Sequence, residues 1–302
     1  MPSIVTHYFL GCEMLNGLNA AGQWDRQCRE AFLFGNQGPD PLFFSFTSKY
    51  SKHIRTMGFK IHDQHCTPAL KTLLKQPRDN SRYSQLQRAY QMGMLCHYVL
   101  DSNAHPYVHC FEKKLLESGI VPDHYRFSHS MLETNIDVVL MHLRGKTVSE
   151  FSVPAIIHKD RKIDSAVAKL YSGFAKKFYH WEIPAHEFEA TFENMRFLEK
   201  LLRSKRGIKR ALLSRIDRLA LGDSFYGAMS HADDQTILFD FANLQHQQWV
   251  DKHGRQVNFS FMELFRDALA EAQEKIGQWQ RGAAMADITG NINFEGERDK
   301  TC

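Results

Sequence analysis

The stretch His97-Tyr98-Val99-Leu100-Asp101-Ser102-Asn103-Ala104-His105-Pro106 decides both the fold and the chemistry of this chain. His97, Asp101 and His105 follow one another at steps of four residues. On an α-helix such residues share one face, because each step of four advances the side chain only about 40° around the axis. The spacing therefore predicts a helix that presents two imidazoles and a carboxylate in one row.

A second row follows in His129-Ser130-Met131-Leu132-Glu133, where a histidine and a carboxylate again stand four residues apart. Two helices with facing rows of this kind can close a metal site between them. The donor atoms are imidazole nitrogen and carboxylate oxygen, which suit zinc, iron or manganese. Histidines are concentrated in the first half of the chain, so we expect the chemistry there.

Apolar residues recur at helical spacing in most of the chain, whereas no alternating β pattern persists beyond a few residues. The predicted helices are Tyr83 to His105, ended by Pro106; Phe127 to Leu143; Ile163 to Tyr179; Glu187 to Arg203; and one that starts at the capping box Ser260-x-x-Glu263. We expect an all-α, multi-helix single domain over residues 1–281, with a metal-site half at about 1–145 and an enclosing half at about 146–281. A long loop is predicted near Gly35 to Phe59, and a disordered tail at 282–302.

The composition, charge and cysteine spacing limit which classes of protein this chain can belong to. The chain has 302 residues, of which 43% are hydrophobic, and can bury a sizeable core. Its formal net charge of +4 argues neither for nor against a nucleic-acid partner. No run of about 18 apolar residues is present, so no membrane-spanning segment is expected. The start of the chain does not resemble a secretory signal, and the six cysteines have no C-x-x-C spacing, so we expect reduced thiols and a cytoplasmic location.

One basic segment has two interpretations. Residues 198–218 carry lysines and arginines opposite a row of leucine and isoleucine side chains. The favoured interpretation is the solvated face of an amphipathic helix. The alternative is a peripheral contact for anionic phosphates of a lipid surface or nucleic acid, without an obligate nucleic-acid partner.

Several stretches of this sequence resemble the zinc-dependent phospholipase C family, the helical superfamily shared with P1-type nucleases. The matching stretches are MPSIVTHYFLG, FGNQGPDPLFF, GFKIH, GMLCHYVLDSNAHPYVH and HSMLETNID, and the later Asn243 to Trp249 looks like the cytosolic bacterial branch. The resemblance covers roughly residues 1 to 270. It implies a multi-helix fold in which zinc ions lie at the bottom of a cleft between helices.

The resemblance also implies which side chains bind zinc. The first ion would be held by Asp40, His62, His97 and Asp101; the second by His105, His129 and Glu133; and the third by His7, with Asp101 as a bridge. Two or three ions are expected, because the secreted enzymes bind the third through an N-terminal Trp, whereas this chain begins with Met-Pro. His109 remains an alternative to His105, and His53 to His62. Asp137, one step of four residues beyond Glu133, is expected to be a partner of a ligand or a solvated residue rather than a ligand.

The chemistry implied is hydrolysis of phosphoric esters, either phosphodiesters or phospholipids. Zinc ions about 3.5–4 Å apart can stabilise the charge that develops on a phosphoryl group and can activate a water molecule. Asp40 is expected to orient that water or to act as the catalytic base. Two alternatives stay open: an HD-type phosphohydrolase, prompted by His62-Asp63, and a catalytically silent zinc-binding scaffold or sensor. More than two metal ions per chain would disfavour the first, and metal without hydrolysis would favour the second.

Overall fold

The structure is a computed structural model that describes residues 4–17, 24–77, 79–122, 124–150, 156–202, 211–212, 215–216, 225–232 and 238–300. These residues are mostly helical, with a two-stranded antiparallel sheet, which confirms the predicted all-α fold. The helices are α1 (Ile4–Gly17), α2 (Arg26–Gly35), α3 (Ser51–Asp63), α4 (Cys66–Leu73), α5 (Arg82–Glu117), α6 (Ser128–Leu143), α7 (Arg161–Tyr179), α8 (Ala185–Leu202), α9 (Phe225–Ala228), α10 (Phe261–Gln280) and α11 (Met285–Thr289). Short 3₁₀ helices span Asp40–Phe44 and Val148–Glu150, and the strands are β1 (Trp249–Val250) and β2 (Gln256–Val257).

Helix α5, 36 residues long, is the central element of the fold and packs against α2, α6, α7 and α10. Its approach to α2 depends on two glycines. A Cβ atom at Gly93 would overlap the carbonyl oxygen of Phe32, and one at Gly35 would overlap the carbonyl oxygen of Tyr90. Because both positions lack a side chain, the turn that follows α2 can lie directly against the middle of α5.

Pro106 does not end helix α5, contrary to the prediction. The helix continues to Glu117 with the proline inside it. A proline removes one hydrogen bond from a helix interior, here the bond to the carbonyl of Ser102. The chain at Gly296 lies against both the Pro106 ring and that carbonyl, so tertiary packing supports the helix at this point.

The predicted loop near Gly35 to Phe59 was also wrong, because it contains the 3₁₀ helix Asp40–Phe44 and the first part of α3. Leu42, Ile54 and Met57 are completely buried. Within α3, Ile54, Met57 and Ile61 recur at the helical spacing i, i+3, i+7, so the pattern for this helix was present in the sequence.

Residues 282–300 are folded, which corrects the predicted disordered tail. They contain helix α11 and an antiparallel bridge between Ile292 and Arg298. Phe294 is completely buried, and the carboxylate of Asp299 accepts a hydrogen bond from the Thr67 N–H at 2.9 Å. The segment is small and polar in composition, but its polar groups pair with α3, α4 and α5, which composition alone does not show.

The other predicted helices lie close to their expected bounds, and the capping box of Ser260 and Glu263 is present. In the part of the chain that the structure describes, no helix is long and apolar enough to cross a membrane. Most of the basic segment 198–218 lies outside the described residues. The described cysteines are free thiols: Cys12, Cys28, Cys66, Cys96 and Cys110.

The packing of α2 on α5 gives a prediction about stability. Gly93→Ala should lower the free energy of unfolding by about 1–3 kcal/mol, because the added methyl group would overlap the backbone of α2. The control is Gly173→Ala in α7, where a Cβ has no neighbour within 4 Å. That change should be stabilising by about 0.5–1 kcal/mol, because alanine favours a helix interior. Urea unfolding of both variants checks this; equal stabilities would contradict the proposed packing role of Gly93.

Candidate metal centre

The row predicted on α5 faces the interior of the protein. His97 and Asp101 are completely buried, and His105 is 1% exposed. Polar side chains of this kind are rarely buried unless they are paired or bind a cation. The groups that surround the row must therefore stabilise these buried polar side chains.

Asp101 lies at the centre of the first group of side chains. Its Oδ1 is 3.1 Å from Nε2 of His7 on α1, and its Oδ2 is 3.1 Å from Nε2 of His97. Nε2 of His62, on α3, lies 3.2 Å from Oδ1 of Asp40 and 3.9 Å from Oδ2 of Asp101. The five predicted residues thus converge from three helices and from the turn after α2. Two sets among them, His7 with His97 and Asp101, and Asp40 with His62 and His97, could each hold a metal ion.

His105, His129 and Glu133 form a second group that could hold a metal ion, with their possible ligand atoms all within 4.8 Å of one another. The imidazole rings of His105 and His129 are stacked with centroids 5.8 Å apart. Nε2 of His129 lies 3.0 Å from Oε1 of Glu133, one helical turn later on α6. The rows on α5 and α6 therefore face each other, as their spacing predicted.

Hydrogen bonds to carbonyl groups fix the orientation of three of these imidazoles. Nδ1 of His62 donates to the Gly58 carbonyl at 2.8 Å, and Nδ1 of His97 donates to the Asn36 carbonyl at 3.1 Å. Nδ1 of His105 donates to the Phe294 carbonyl at 2.8 Å. A carbonyl only accepts hydrogen bonds, so each ring carries a proton on Nδ1 and directs Nε2, the nitrogen that can bind a metal, to the interior. This arrangement is typical of histidines that bind metals.

The polar atoms at the centre of the first group are buried without a well-aligned hydrogen bond from the described residues. They are Nε2 of His7, His62 and His97, Oδ1 of Asp40 and both carboxylate oxygens of Asp101. Buried polar atoms in native proteins are nearly always satisfied. A cation between them would satisfy the nitrogen lone pairs and the carboxylate oxygens together, so the residues present fit a zinc centre.

The ionisation of the site agrees with a need for positive charge. Burial alone raises the pKa of Asp101, but the imidazoles of His97 and His7 overcome this effect and hold it well below its usual range. Burial lowers the pKa of His105 to about 4, which favours the neutral imidazole that binds metals. Burial also tends to lower the pKa of His129, but the Glu133 carboxylate raises it to about 9.

The turn that carries Asp40 is shaped to fit against His97. Gly38 has a φ of +50°, a conformation that glycine adopts without strain, and a Cβ there would overlap the His97 ring. The Gly38 carbonyl accepts hydrogen bonds from the hydroxyl groups of Tyr90 and Tyr171, at 2.8 and 3.0 Å. The sequence Gly-Pro-Asp thus brings a carboxylate beside a buried imidazole.

The two alternative histidines lie in different places: His109 is beside the second group, with its ring 5.8 Å from that of His105 and 5.4 Å from that of His129, whereas His53 lies away from both groups. His109 is half-exposed, and its Nε2 lies 3.0 Å from a carboxylate oxygen of Glu295. It belongs to an outer group with Glu112 and His129. His53 lies against the ring of Trp181, with centroids 4.9 Å apart, and belongs to none of the groups found among the described residues.

Asp137 anchors the start of α1 instead of joining a ligand group. Its carboxylate accepts hydrogen bonds from the N–H groups of Val5 and Thr6, at 3.0 and 2.8 Å, and contacts Nε2 of His231 at 2.9 Å. A carboxylate at a helix N-terminus is stabilising, because it pairs with N–H groups that have no partner in the helix. Asp137 therefore fixes the helix that carries His7.

Sequence reasoning missed three contributors to the site. Glu112 lies 3.3 Å from Nδ1 of His129, and could have been found by extending the α5 row by seven residues from His105. Phe294 and Glu295 approach the site from the C-terminal segment, about 190 residues away in sequence from His105. No local pattern predicts that contact.

A large cleft opens beside the two groups. It has a volume of about 960 Å³, and His62, His105, His129 and Glu133 are among the residues that line it. Its walls are mainly apolar: Phe43, Phe44, Phe46, Phe59, Phe197, Leu198 and Met229. Its size is that of a site for a small organic ligand.

Comparison with known families identifies the chain. A model of the zinc-dependent phospholipase C family matches residues 6–181, more than half of the 302 residues. The chain belongs to the zinc-dependent phospholipase C family. The matched region includes every predicted ligand from His7 to Glu133, and it favours this family over the HD-type alternative. No curated protein and no solved structure gives a significant match. Family membership and the groups able to bind metal together support a zinc-dependent hydrolase.

Asp101 should be the most sensitive single position of the centre, since its two oxygens face different histidines. Asp101→Asn removes the charge while it nearly keeps the shape, and should weaken zinc binding by more than about tenfold. The control is Ser102→Ala, whose hydroxyl group donates to the Val99 carbonyl at 3.1 Å and belongs to none of the groups that could hold a metal ion among the described residues. Zinc per chain, measured by elemental analysis after dialysis, should fall in the first variant and stay unchanged in the second. Wild-type zinc content in Asp101→Asn would contradict the assignment.

Removal of metal should destabilise the fold, because an ion bound only by the native state stabilises it by mass action. For each site at a zinc concentration of 100 times Kd the effect is about 2.7 kcal/mol, so loss of two ions should lower Tm by at least about 5 °C. Calorimetry before and after chelation measures this, and added zinc should restore the original Tm. An unchanged Tm in protein shown to be metal-free would count against a centre of this kind.

Proposed function

We propose that this protein is a phospholipase C-like hydrolase that cleaves phosphoric esters with two or three zinc ions. The observation that carries the proposal is the set of buried, unsatisfied imidazole nitrogens and carboxylate oxygens around Asp101, at the side of a large apolar cleft. The proposed ligands are Asp40, His62, His97 and Asp101 for one ion, His105, His129 and Glu133 for a second, and His7 with Asp101 for a third. The family match supports the chemistry, and the geometry supports the residues.

Each part of the site has a distinct role in the proposal. Zinc, when bound, supplies positive charge that stabilises a phosphoryl group in the transition state and lowers the pKa of a water molecule. The main-chain carbonyls of Gly58 and Asn36 hold the rings of His62 and His97 in place. The walls of the cleft exclude water from the substrate, so that charged groups act there in a low-dielectric environment.

Asp40 is the proposed catalytic base. Its carboxylate faces His62 and also lines a small cavity of about 70 Å³, together with Glu133 and Glu199. That cavity is large enough for a water molecule with polar partners on several sides. From this position Asp40 can orient the attacking water and accept its proton while it contacts the centre.

The apolar walls point to a substrate with a hydrophobic part. Phe46, Phe59 and Phe197 are 51%, 63% and 68% exposed, which is unusual for large aromatic side chains grouped around one opening. Arg55 and Lys60 also line this cleft and offer positive charge, together with the acidic Asp63 and Glu295. A phospholipid has both features, an apolar chain and an anionic phosphate, and is therefore the preferred substrate class.

A substitution in the cleft wall tests this preference. Phe59→Ala should raise KM for a long-chain phospholipid about tenfold, because a lost aromatic contact of about 1.4 kcal/mol corresponds to a factor of ten. It should leave hydrolysis of a small, water-soluble phosphodiester nearly unchanged. Leu143→Ala, an exposed apolar residue at the end of α6 and outside the cleft, is the control and should affect neither substrate.

A substrate panel tests the function itself. Zinc-loaded protein should hydrolyse at least one class among phospholipids, phosphodiesters and phosphomonoesters, and Asp40→Asn should abolish that activity. Zinc bound in full amount without hydrolysis of any class would instead favour a zinc-binding scaffold. Equal activity towards apolar and polar esters would argue against the preference for lipids but not against the hydrolase function.

A further inference from the structure

The chain from 290 to 299, here called the C-terminal segment, lies directly against the proposed ligands. The Phe294 carbonyl accepts the Nδ1–H of His105 at 2.8 Å, and the Phe294 N–H donates to the His62 carbonyl at 3.2 Å. The Phe294 ring packs against the rings of both His62 and His97, with centroids 4.7 and 5.8 Å away. One residue therefore contacts proposed ligands of both groups.

The next residue, Glu295, places its carboxylate beside the second group. Oε2 of Glu295 is 3.0 Å from Nε2 of His109 and 3.9 Å from Nε2 of His105, the nitrogen that faces the second group. Glu295 also lines both the 960 Å³ cleft and a neighbouring cavity of about 570 Å³. Its negative charge is thus close to the place where a cation would be bound.

The C-terminal segment is held firmly in this position. The Tyr98 hydroxyl donates to the carbonyls of Thr289 and Ile292, at 3.1 and 2.8 Å. Asp299 pairs with the N–H of Thr67, as described above. At Gly296, with a φ of +75°, the segment is so close to α5 that a Cβ would lie 2.6 Å from Cγ of Pro106. Anchors on both sides of Phe294 and Glu295 fix where these two residues lie.

We infer that the C-terminal segment is a working part of the metal centre. The Phe294 carbonyl fixes the His105 ring through Nδ1, which leaves Nε2 as the atom that would bind a cation, and the Glu295 carboxylate adds negative charge beside the place where His105, His129 and Glu133 would hold it. The segment lies outside the region that the family model matches. The inference rests on the proposed metal centre, but not on what the protein hydrolyses.

The physical basis is the effect of groups around a metal ligand. A hydrogen bond to the second nitrogen of an imidazole fixes its tautomer and orientation, and loss of such a partner typically weakens metal binding about 10–100-fold. A nearby carboxylate stabilises a bound cation by direct Coulomb attraction. A segment that only covered the core would need the Phe294 ring, but would not need a carboxylate at the cleft.

The first pair of variants tests the carboxylate. Glu295→Gln keeps the shape and removes the charge, and should weaken the binding of one zinc ion per chain about tenfold while the other ion or ions bind as before. The control is Glu297→Gln in the same turn, whose carboxylate lies 3.9 Å from Lys300. It should change no affinity by more than about twofold. Competition with a chromophoric chelator measures each affinity.

The second pair tests the position of the segment. Gly296→Ala should push the segment away from α5 and so move the Phe294 carbonyl from His105, and should weaken the same ion about tenfold or more. Gly290→Ala is the control: its φ is +59°, but a Cβ there has no neighbour within 4 Å. Both alanines carry a similar backbone strain, so only the overlap with α5 differs. Circular dichroism of the metal-free variants shows whether each is folded. If Gly296→Ala does not fold, the zinc affinity of Glu295→Gln alone tests the inference.

Cobalt substitution gives a second readout. The visible absorption of Co²⁺ bound in place of zinc should change in Glu295→Gln and remain as in the wild type in Glu297→Gln. Wild-type zinc affinities and an unchanged cobalt spectrum in Glu295→Gln would overturn the inference. A wild-type chain that binds no zinc would overturn the inference and the proposed function together. Altered zinc binding in a protein that hydrolyses no phosphoester would support the inference and reject only the function.

Discussion

The structure depends on one electrostatic constraint, a completely buried carboxylate between imidazoles. Asp101 has no exposed surface, and its two oxygens face His7 and His97 at 3.1 Å each. An isolated carboxylate in such a place would be strongly destabilising, because the interior cannot replace its hydration. Positive charge must therefore reside next to it. Two or three zinc ions would provide that charge and would also be bound by the imidazole nitrogens around Asp101.

Several features far apart in sequence follow from the need to hold ligands around Asp101. Gly93 allows α2 to lie on α5, and Gly38 lets the turn after α2 place Asp40 beside the His97 ring. Asp137 fixes the N-terminus of α1 and so locates His7. Phe294 holds His105 from the other end of the chain. Each of these contacts involves a main-chain group or a glycine, so the positions of the ligands depend strongly on how the backbone elements pack.

The all-α fold and the two facing rows could be predicted from the sequence. Helical periodicity determines which residues share a face, and a spacing of four residues is visible within one short stretch of sequence. The continuation of α5 through Pro106 could not be predicted, because the contacts that support it come from a segment about 190 residues later in the sequence. The same contacts order residues 282–300, whose small polar composition indicated disorder. The ligand assignments of Asp40, His62 and His7 came from a family resemblance, and the structure now adds distances that make them testable.

The most direct test of the account is an anomalous difference map, recorded at the zinc absorption edge, from crystals of zinc-loaded protein. We expect peaks within about 2.0–2.2 Å of the carboxylate oxygens of Asp101 and of Nε2 of His97, and a further peak among His105, His129 and Glu133. The metal would then have nitrogen and oxygen ligands only. Zinc at the cysteines, or no peak near Asp101 in fully loaded protein, would contradict the central claim.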